Sequence, residues 1–213
     1  MAITAALLMS RWGFDVMEFI LRYRGPLPAS RRWHPERHRI RLALDGQLID
    51  LCGRDARFRK ALTSDLPAGV LKGRTVTFPG DADPDFFYVS VGGTQFVPLV
   101  TRNHALIAKL DITFLRREEP GDILHEGGDL DNRLKSLFDA LRIPHSEQEI
   151  DKNVETPARV YCLLEDDSLI TRLSIDTQRY LGPLLEGERD TDVALDIRVT
   201  VESGRPRMGN ITF

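Results

Sequence analysis

Two runs decide the fold: Leu106-Ile-Ala-Lys-Leu-Asp-Ile-Thr-Phe-Leu115 and Asp129-Leu-Asp-Asn-Arg-Leu-Lys-Ser-Leu-Phe-Asp-Ala-Leu141. In the first, Leu110, Ile112 and Phe114 alternate with Lys109, Asp111 and Thr113. That period of two marks a strand with one buried face. In the second, Leu134, Leu137, Phe138 and Leu141 follow helical spacing behind an acidic start, which suits the positive end of a helix dipole. A polar loop, Arg116 to Gly128, joins them through REEPGD and two adjacent glycines.

Working outward, Met17 to Tyr23 (MEFILRY) reads as a first strand stopped by Gly25, Pro26 and Pro28. The sixteen residues before it read as an extension, with Met17 a candidate start. Arg31 to Leu44 reads as a basic loop that enters a helix at about Pro35, a residue the first helical turn tolerates. A short helix is expected over Asp55 to Thr63, and an irregular excursion or hairpin over the Gly-, Pro- and Asp-rich stretch Pro67 to Gly93. Beyond Leu141, His145 to Thr156 is a polar insertion, and Arg159 to Leu164, Ser168 to Thr177 and Thr191 to Glu202 read as strands. The pattern predicts one α/β (α+β) domain over residues 17–202, a mixed sheet flanked by helices, with insertions near 64–100 and 142–160 and a loose tail over 203–213.

The chain has 213 residues and is 42% hydrophobic, enough for a core without disulfides or structural metal. Its two cysteines, Cys52 and Cys162, cannot build a disulfide framework or a four-cysteine zinc site, which fits a reducing, cytoplasmic setting. The apolar run Ala2 to Met9 is too short to span a bilayer, and no membrane partner is expected. The net charge of -3 argues against a uniformly basic nucleic-acid binder. It hides an asymmetry, because residues 1–74 carry 14 Lys+Arg against 7 Asp+Glu and the remainder carries 15 against 25. One part offers a surface for anions, and the other is rich in carboxylates.

The chemistry concentrates in Gly128-Asp-Leu-Asp-Asn-Arg-Leu-Lys135 and in Glu165-Asp166-Asp167. Asp129 and Asp131 lie two apart where a loop enters a helix, and Lys135 follows Asp131 by one turn. Clustered carboxylates repel unless a cation sits among them, and hard oxygen donors suit Mg2+ or Mn2+. An aspartate at a helix start also caps free amides, so on this motif alone helix capping with a surface Asp131–Lys135 ion pair stands level with metal binding, and the acidic tripeptide with Lys135 tips the balance to the metal. For Asp166 the plainer reading is a turn residue at the start of a strand.

GGDLDNRLKSLFDAL followed by EDDSLI resembles the RusA family of Holliday junction resolvases, whose hallmark is a D-x-D-N-x-x-K segment on a helix ending in D-A-L, with an acidic pair before the next strand. The resemblance covers about Leu106 to Asp176, and more weakly the opening strand and helix. It implies that Asp129, Asp131 and Asp167 bind one or two divalent ions, with Asp166 the alternative to Asp167, and that Lys135 is catalytic. Asn132 and Asp139 take supporting positions. It further implies Mg2+-dependent (or Mn2+-dependent) endonuclease action on branched DNA by a homodimer. The chain departs from the family in its length, in the HEGG before the motif and in its acidic second half.

Arg31, Arg32, Trp33, Arg37, Arg39 and Arg41 form a basic segment interrupted by Glu36, and arginine forks with an aromatic suit a DNA backbone and an unpaired base. The alternative is a solvated helix face with Trp33 in the core. His34 and His38 have helical spacing but lack the metalloprotease pattern, and they are expected at the surface or facing DNA. His125 and His145 are expected in solvent, and Cys162 in the core. Two rival functions stand beside the resolvase: a non-catalytic DNA-binding or regulatory protein on the same scaffold, and a phage-defence nuclease of broader DNA or RNA specificity.

Overall fold

The alternation in LIAKLDITFL builds the centre of a sheet. β4 (Leu106–Arg116) buries Leu106, Ala108, Leu110, Ile112 and Phe114 and turns the residues between them to the other face. A computed structural model describes residues 16–29, 35–54, 88–117, 130–183, 186–189 and 191–204. β7 (Val193–Ser203) runs antiparallel to β4, setting Ile197 opposite Ile112 and Val199 opposite Leu110. β1 (Met17–Gly25) lies antiparallel on the far side of β7, with Phe19 opposite Val199 and Leu21 opposite Ile197. β6 (Ile170–Arg179) closes the other side, parallel to β4, and the order is β1-β7-β4-β6.

A second sheet has the order β2-β3-β5, from β2 (Val89–Val91), β3 (Thr94–Val100) and β5 (Arg159–Leu164). β2 and β3 form a hairpin whose two loop residues, Gly92 and Gly93, sit at φ 57° and 83°. Positive φ at both positions is the demand that two glycines meet without strain. β3 then pairs parallel with β5. Of the two insertions expected near 64–100 and 142–160, residues 94–100 supply the middle strand of this sheet, and residues 147–149 form a 3-10 turn. Pro98 is tolerated in that middle strand because β2 pairs only with Thr94 to Phe96, so the missing N–H falls where β3 has one neighbour.

Helix α1 (Glu36–Arg54) places Ile40, Leu44, Leu48 and Cys52 four residues apart, one buried stripe that packs against β5, β1 and helix α2 (Leu130–Leu141). In α2, Leu137, Ala140 and Leu141 are buried in the same core. The described residues form a single α+β domain with mixed sheets flanked by two helices, their strands divided between two sheets where the sequence suggested one. Among the described residues no helix is long and apolar enough to cross a membrane. The helix expected over Asp55 to Thr63, most of the extension before Met17 and most of the tail after Ser203 lie outside the described residues.

Candidate functional site

Helix α2 carries three of the motif's side chains outward or half outward. Asp131 and Lys135 are exposed and one turn apart on one helical face, and Asn132 is half-buried. Asp129, immediately before the helix, lies outside the described residues. Asp139 points elsewhere. Its carboxylate pairs with Arg37 Nη1 at 2.8 Å and Arg142 Nη2 at 2.7 Å, and Arg142 also pairs with Glu149 at 3.0 Å. The supporting role of Asp139 is therefore mechanical, since it ties α2 to α1 and to the segment that follows α2.

The acidic tripeptide divides its labour by residue. Glu165 is buried, donates its N–H to the Val100 carbonyl at 2.9 Å and accepts the Arg102 N–H at 2.9 Å, which fastens the end of β5 to the β3–β4 connection. Asp166 caps a 3-10 turn, Asp167–Leu169, by accepting the Ser168 N–H at 3.0 Å and the Ser168 hydroxyl. Arg102 donates to Asp166 at 3.2 Å and to the Ser168 hydroxyl at 2.8 Å, and His145 Nε2 stands 3.7 Å from the other Asp166 oxygen. The Ser168 hydroxyl bond, helped by the Ser168 N–H and by Arg102 and His145, holds the Asp166 carboxyl below the usual carboxylate range. With both oxygens engaged, Asp166 is a turn cap. Asp167, the next residue, is exposed.

Helix α2 packs against this turn, so the element that carries Asp131 and Lys135 touches the element that carries Asp167. The two ends of α2 differ in what they face. His145, just past its C-terminal end, reaches Asp166, whereas Asp131 stands at its start. At 1.5 Å of rise per residue the start of the 12-residue α2 is about 17 Å from its end. Among the described residues no three His, Cys, Asp or Glu side chains gather closely enough to share a metal ion. Asp131 and Asp167 are hard oxygen donors of the type that suits Mg2+ or Mn2+, but the packing of α2 on the turn is a contact between elements and does not itself bring the two carboxylates together.

The basic segment is sorted by burial. Arg31, Arg32, Trp33 and His34 lie outside the described residues. Arg37 is 6% exposed, paired with Asp139 and donating to the Ser136 hydroxyl at 3.3 Å. Arg41 is 1% exposed and donates to the Asp139 carbonyl at 2.8 Å and the Arg142 carbonyl at 3.1 Å. Those are carbonyls at the end of α2, where intrahelical partners run out. The expectation that Arg37 and Arg41 contact DNA is thus corrected: both guanidinium groups are consumed in fastening α2. Arg39 alone among the described arginines of the segment is exposed, pairing with Glu36 at 2.6 Å and Asp151 at 3.6 Å.

His38 is corrected likewise. It is fully buried, with Nε2 2.9 Å from the Thr156 hydroxyl and Nδ1 3.2 Å from Arg41. Burial, and then the charge of Arg41, lower its pKa to about 4. His145 is exposed as expected but has Asp166 for a neighbour, and His125 lies outside the described residues. Cys162 is buried as expected, and burial pushes its thiol up to about 12.

Arg102 escaped the sequence reading. It sits in Thr-Arg-Asn-His, a turn with no motif spacing, and its role arises only when the fold sets that turn beside Asp166. No protein-family model matches the chain, and no match was found among curated proteins or solved structures.

Proposed function

We propose that the chain is a Mg2+-dependent endonuclease of the RusA kind, cutting phosphodiester bonds in branched DNA as a homodimer in which symmetric sites place paired cuts. The reading is supported by the exposure of Asp131 and Lys135 on one face of α2 and of Asp167 on the turn packed against that helix, and it requires Asp131 and Asp167 to stand closer together than the two ends of α2. Asp129, Asp131 and Asp167 would hold the ion, and Mn2+ could replace it. When bound it would polarise the phosphate and lower the pKa of a water. Lys135, a compact ammonium one turn from Asp131, would lie against the phosphate and offset its growing negative charge. Asp166, Ser168 and Arg102 position Asp167 by fixing the turn before any substrate arrives. The ties from Arg37, Arg41 and Arg142 to α2 do the same for Asp131 and Lys135.

One observation keeps a second reading beside the first. Arg37 and Arg41 face inward, so the described part of the basic segment offers DNA only Arg39, which favours a nuclease of broader DNA or RNA specificity over one that grips a junction through α1. The test uses a synthetic four-way junction, a linear duplex and a structured RNA, each with Mg2+, with EDTA, and with Asp131→Asn in place of the wild type. Junction-selective cutting that needs Mg2+ and Asp131 supports the resolvase. Equal cutting of all three substrates supports the broader nuclease, and no cutting in Mg2+ or Mn2+ removes the enzyme reading.

A further inference from the structure

The two edges of the four-stranded sheet are treated differently. At β1, the Gln47 amide of α1 accepts the Arg22 N–H at 2.9 Å and donates to the Arg22 carbonyl at 2.7 Å, so a side chain occupies backbone groups along that edge. At β6 (Ile170–Arg179), every residue but Thr171, which is skipped at a register shift, pairs with β4 along one side, and no described strand pairs with the other. Proteins commonly protect a long edge with proline, lysine or a charge on its inner face, because unpaired N–H and C=O groups invite another strand. ITRLSIDTQR has neither proline nor lysine.

Among the described residues, no element packs over the outer part of β6 on its core face. Leu173 and Ile175 register with Leu110 and Ile112 of β4 and so lie on the core face. Yet Leu173 is 40% exposed where Leu110 is fully buried, so among the described residues the apolar layer runs out to the edge and stops. On the opposite face Arg172, Ser174 and Asp176 are exposed, with Arg172 holding Asp111 through 3.0 and 2.8 Å bonds.

We propose that β6 is the edge through which two copies of this chain pair, antiparallel about a two-fold axis at Ser174. That register sets Ser174 against itself, Leu173 against Ile175 of the second copy, Arg172 against Asp176 and Thr171 against Thr177. Between Arg172 and Asp176 each apolar residue meets an apolar one and each charge meets its opposite, twice over by symmetry, while Ile170 falls against Gln178. Moving the axis to Ile175 sets Arg172 against Gln178 and Asp176 against Ser174. Moving it to Leu173 sets Arg172 against Ser174 and Asp176 against Ile170. A slip of one residue would bring opposite faces together. The self-complementary register is the one that also extends the core over Leu173. The inference stands on β6 alone and supplies an interface for the homodimer of the proposed function.

Sedimentation of the full chain tests the pairing, with cleavage activity as an independent readout. The wild type sediments as a dimer. Arg172→Asp and Asp176→Arg each weaken dimerisation by about tenfold by setting like charges across the axis, and the double exchange restores it. Ser174→Cys gives a covalent dimer on mild oxidation, because its thiol meets its own copy while Cys52 and Cys162 are buried. Arg179→Cys, far from the axis, does not. A monomeric wild type overturns the inference. So does a dimer that ignores both charge changes and yields no Ser174→Cys crosslink; it would leave the homodimer and the nuclease readings untouched, whereas loss of cleavage with β6 pairing intact would count against the nuclease alone.

Discussion

Acid should cost this fold stability through its buried histidines, His38 and His104, whose pKa values burial lowers, and His38 gives the clearer test. His38 is fully buried between Thr156 and Arg41, with Arg39 and Asp151 in the ion pair beside it, and it stays neutral down to about pH 4. In the unfolded chain the same imidazole takes a proton near pH 6.5. Between those values the unfolded state binds a proton that the folded state refuses. The stability contribution is therefore complete above about pH 6.5, falls as pH drops toward about 4, and changes no further below that. With the folded value at about 4, the loss at pH 4.5 is roughly 2–3 kcal/mol, a large share of the ~5–15 kcal/mol typical of a domain. Asp151 is held low chiefly by the Asn153 N–H, so its contribution fades only below the normal carboxylate range, outside this window. The perturbation is His38→Gln, whose amide can keep the Thr156 partner while removing the titration. Urea unfolding of both proteins at pH 7 and pH 4.5, followed by circular dichroism, should show the wild type losing roughly 2–3 kcal/mol more than the variant. Equal losses in the two proteins would refute a buried neutral His38.

Two aspartates of one motif should behave oppositely. Asp139→Ala strips a carboxylate from Arg37 and Arg142, both buried, and should lower unfolding free energy by about 3–5 kcal/mol in urea titrations. Asp131→Asn, at an exposed position, should stay within ~0.5 kcal/mol of wild type by the same measurement; a large loss there would make Asp131 a fold residue. The thiols give a third check. Cys52 and Cys162 are buried, and an aromatic disulfide reagent at mildly alkaline pH should find no reactive thiol in the native protein and both after unfolding. Rapid labelling of native protein would contradict their burial.

The parts legible in the sequence are those whose signal is local. β5 was readable over Arg159–Leu164 because its apolar run is short and bounded, and β4, β7 and α2 because their periodicities are clean. β3 was not, since Pro98 reads as a strand breaker until the short reach of β2 shows that its missing N–H goes unneeded. The inward turn of Arg37, His38 and Arg41 was hidden for a different reason. A run of arginines on a helix looks like a phosphate-facing surface, and the groups that claim Arg37 and Arg41, the Ser136 hydroxyl and the carbonyls of Asp139 and Arg142, lie 98 to 101 residues away. At the candidate site, the residue types of DLDN and EDD were legible. That Asp166 caps a turn while Asp167 stays exposed was not, because it depends on Ser168, Arg102 and His145 meeting in three dimensions.

In the proposed site Asp129, Asp131 and Asp167 share a divalent ion. The most direct measurement is anomalous diffraction from crystals of the protein soaked in Mn2+, with Asp131→Asn crystals treated alike. A manganese peak among those three carboxylates in the wild type, lost in the variant, is the expected result. A peak at another site, or none in the wild type, would rule out a shared ion at these carboxylates.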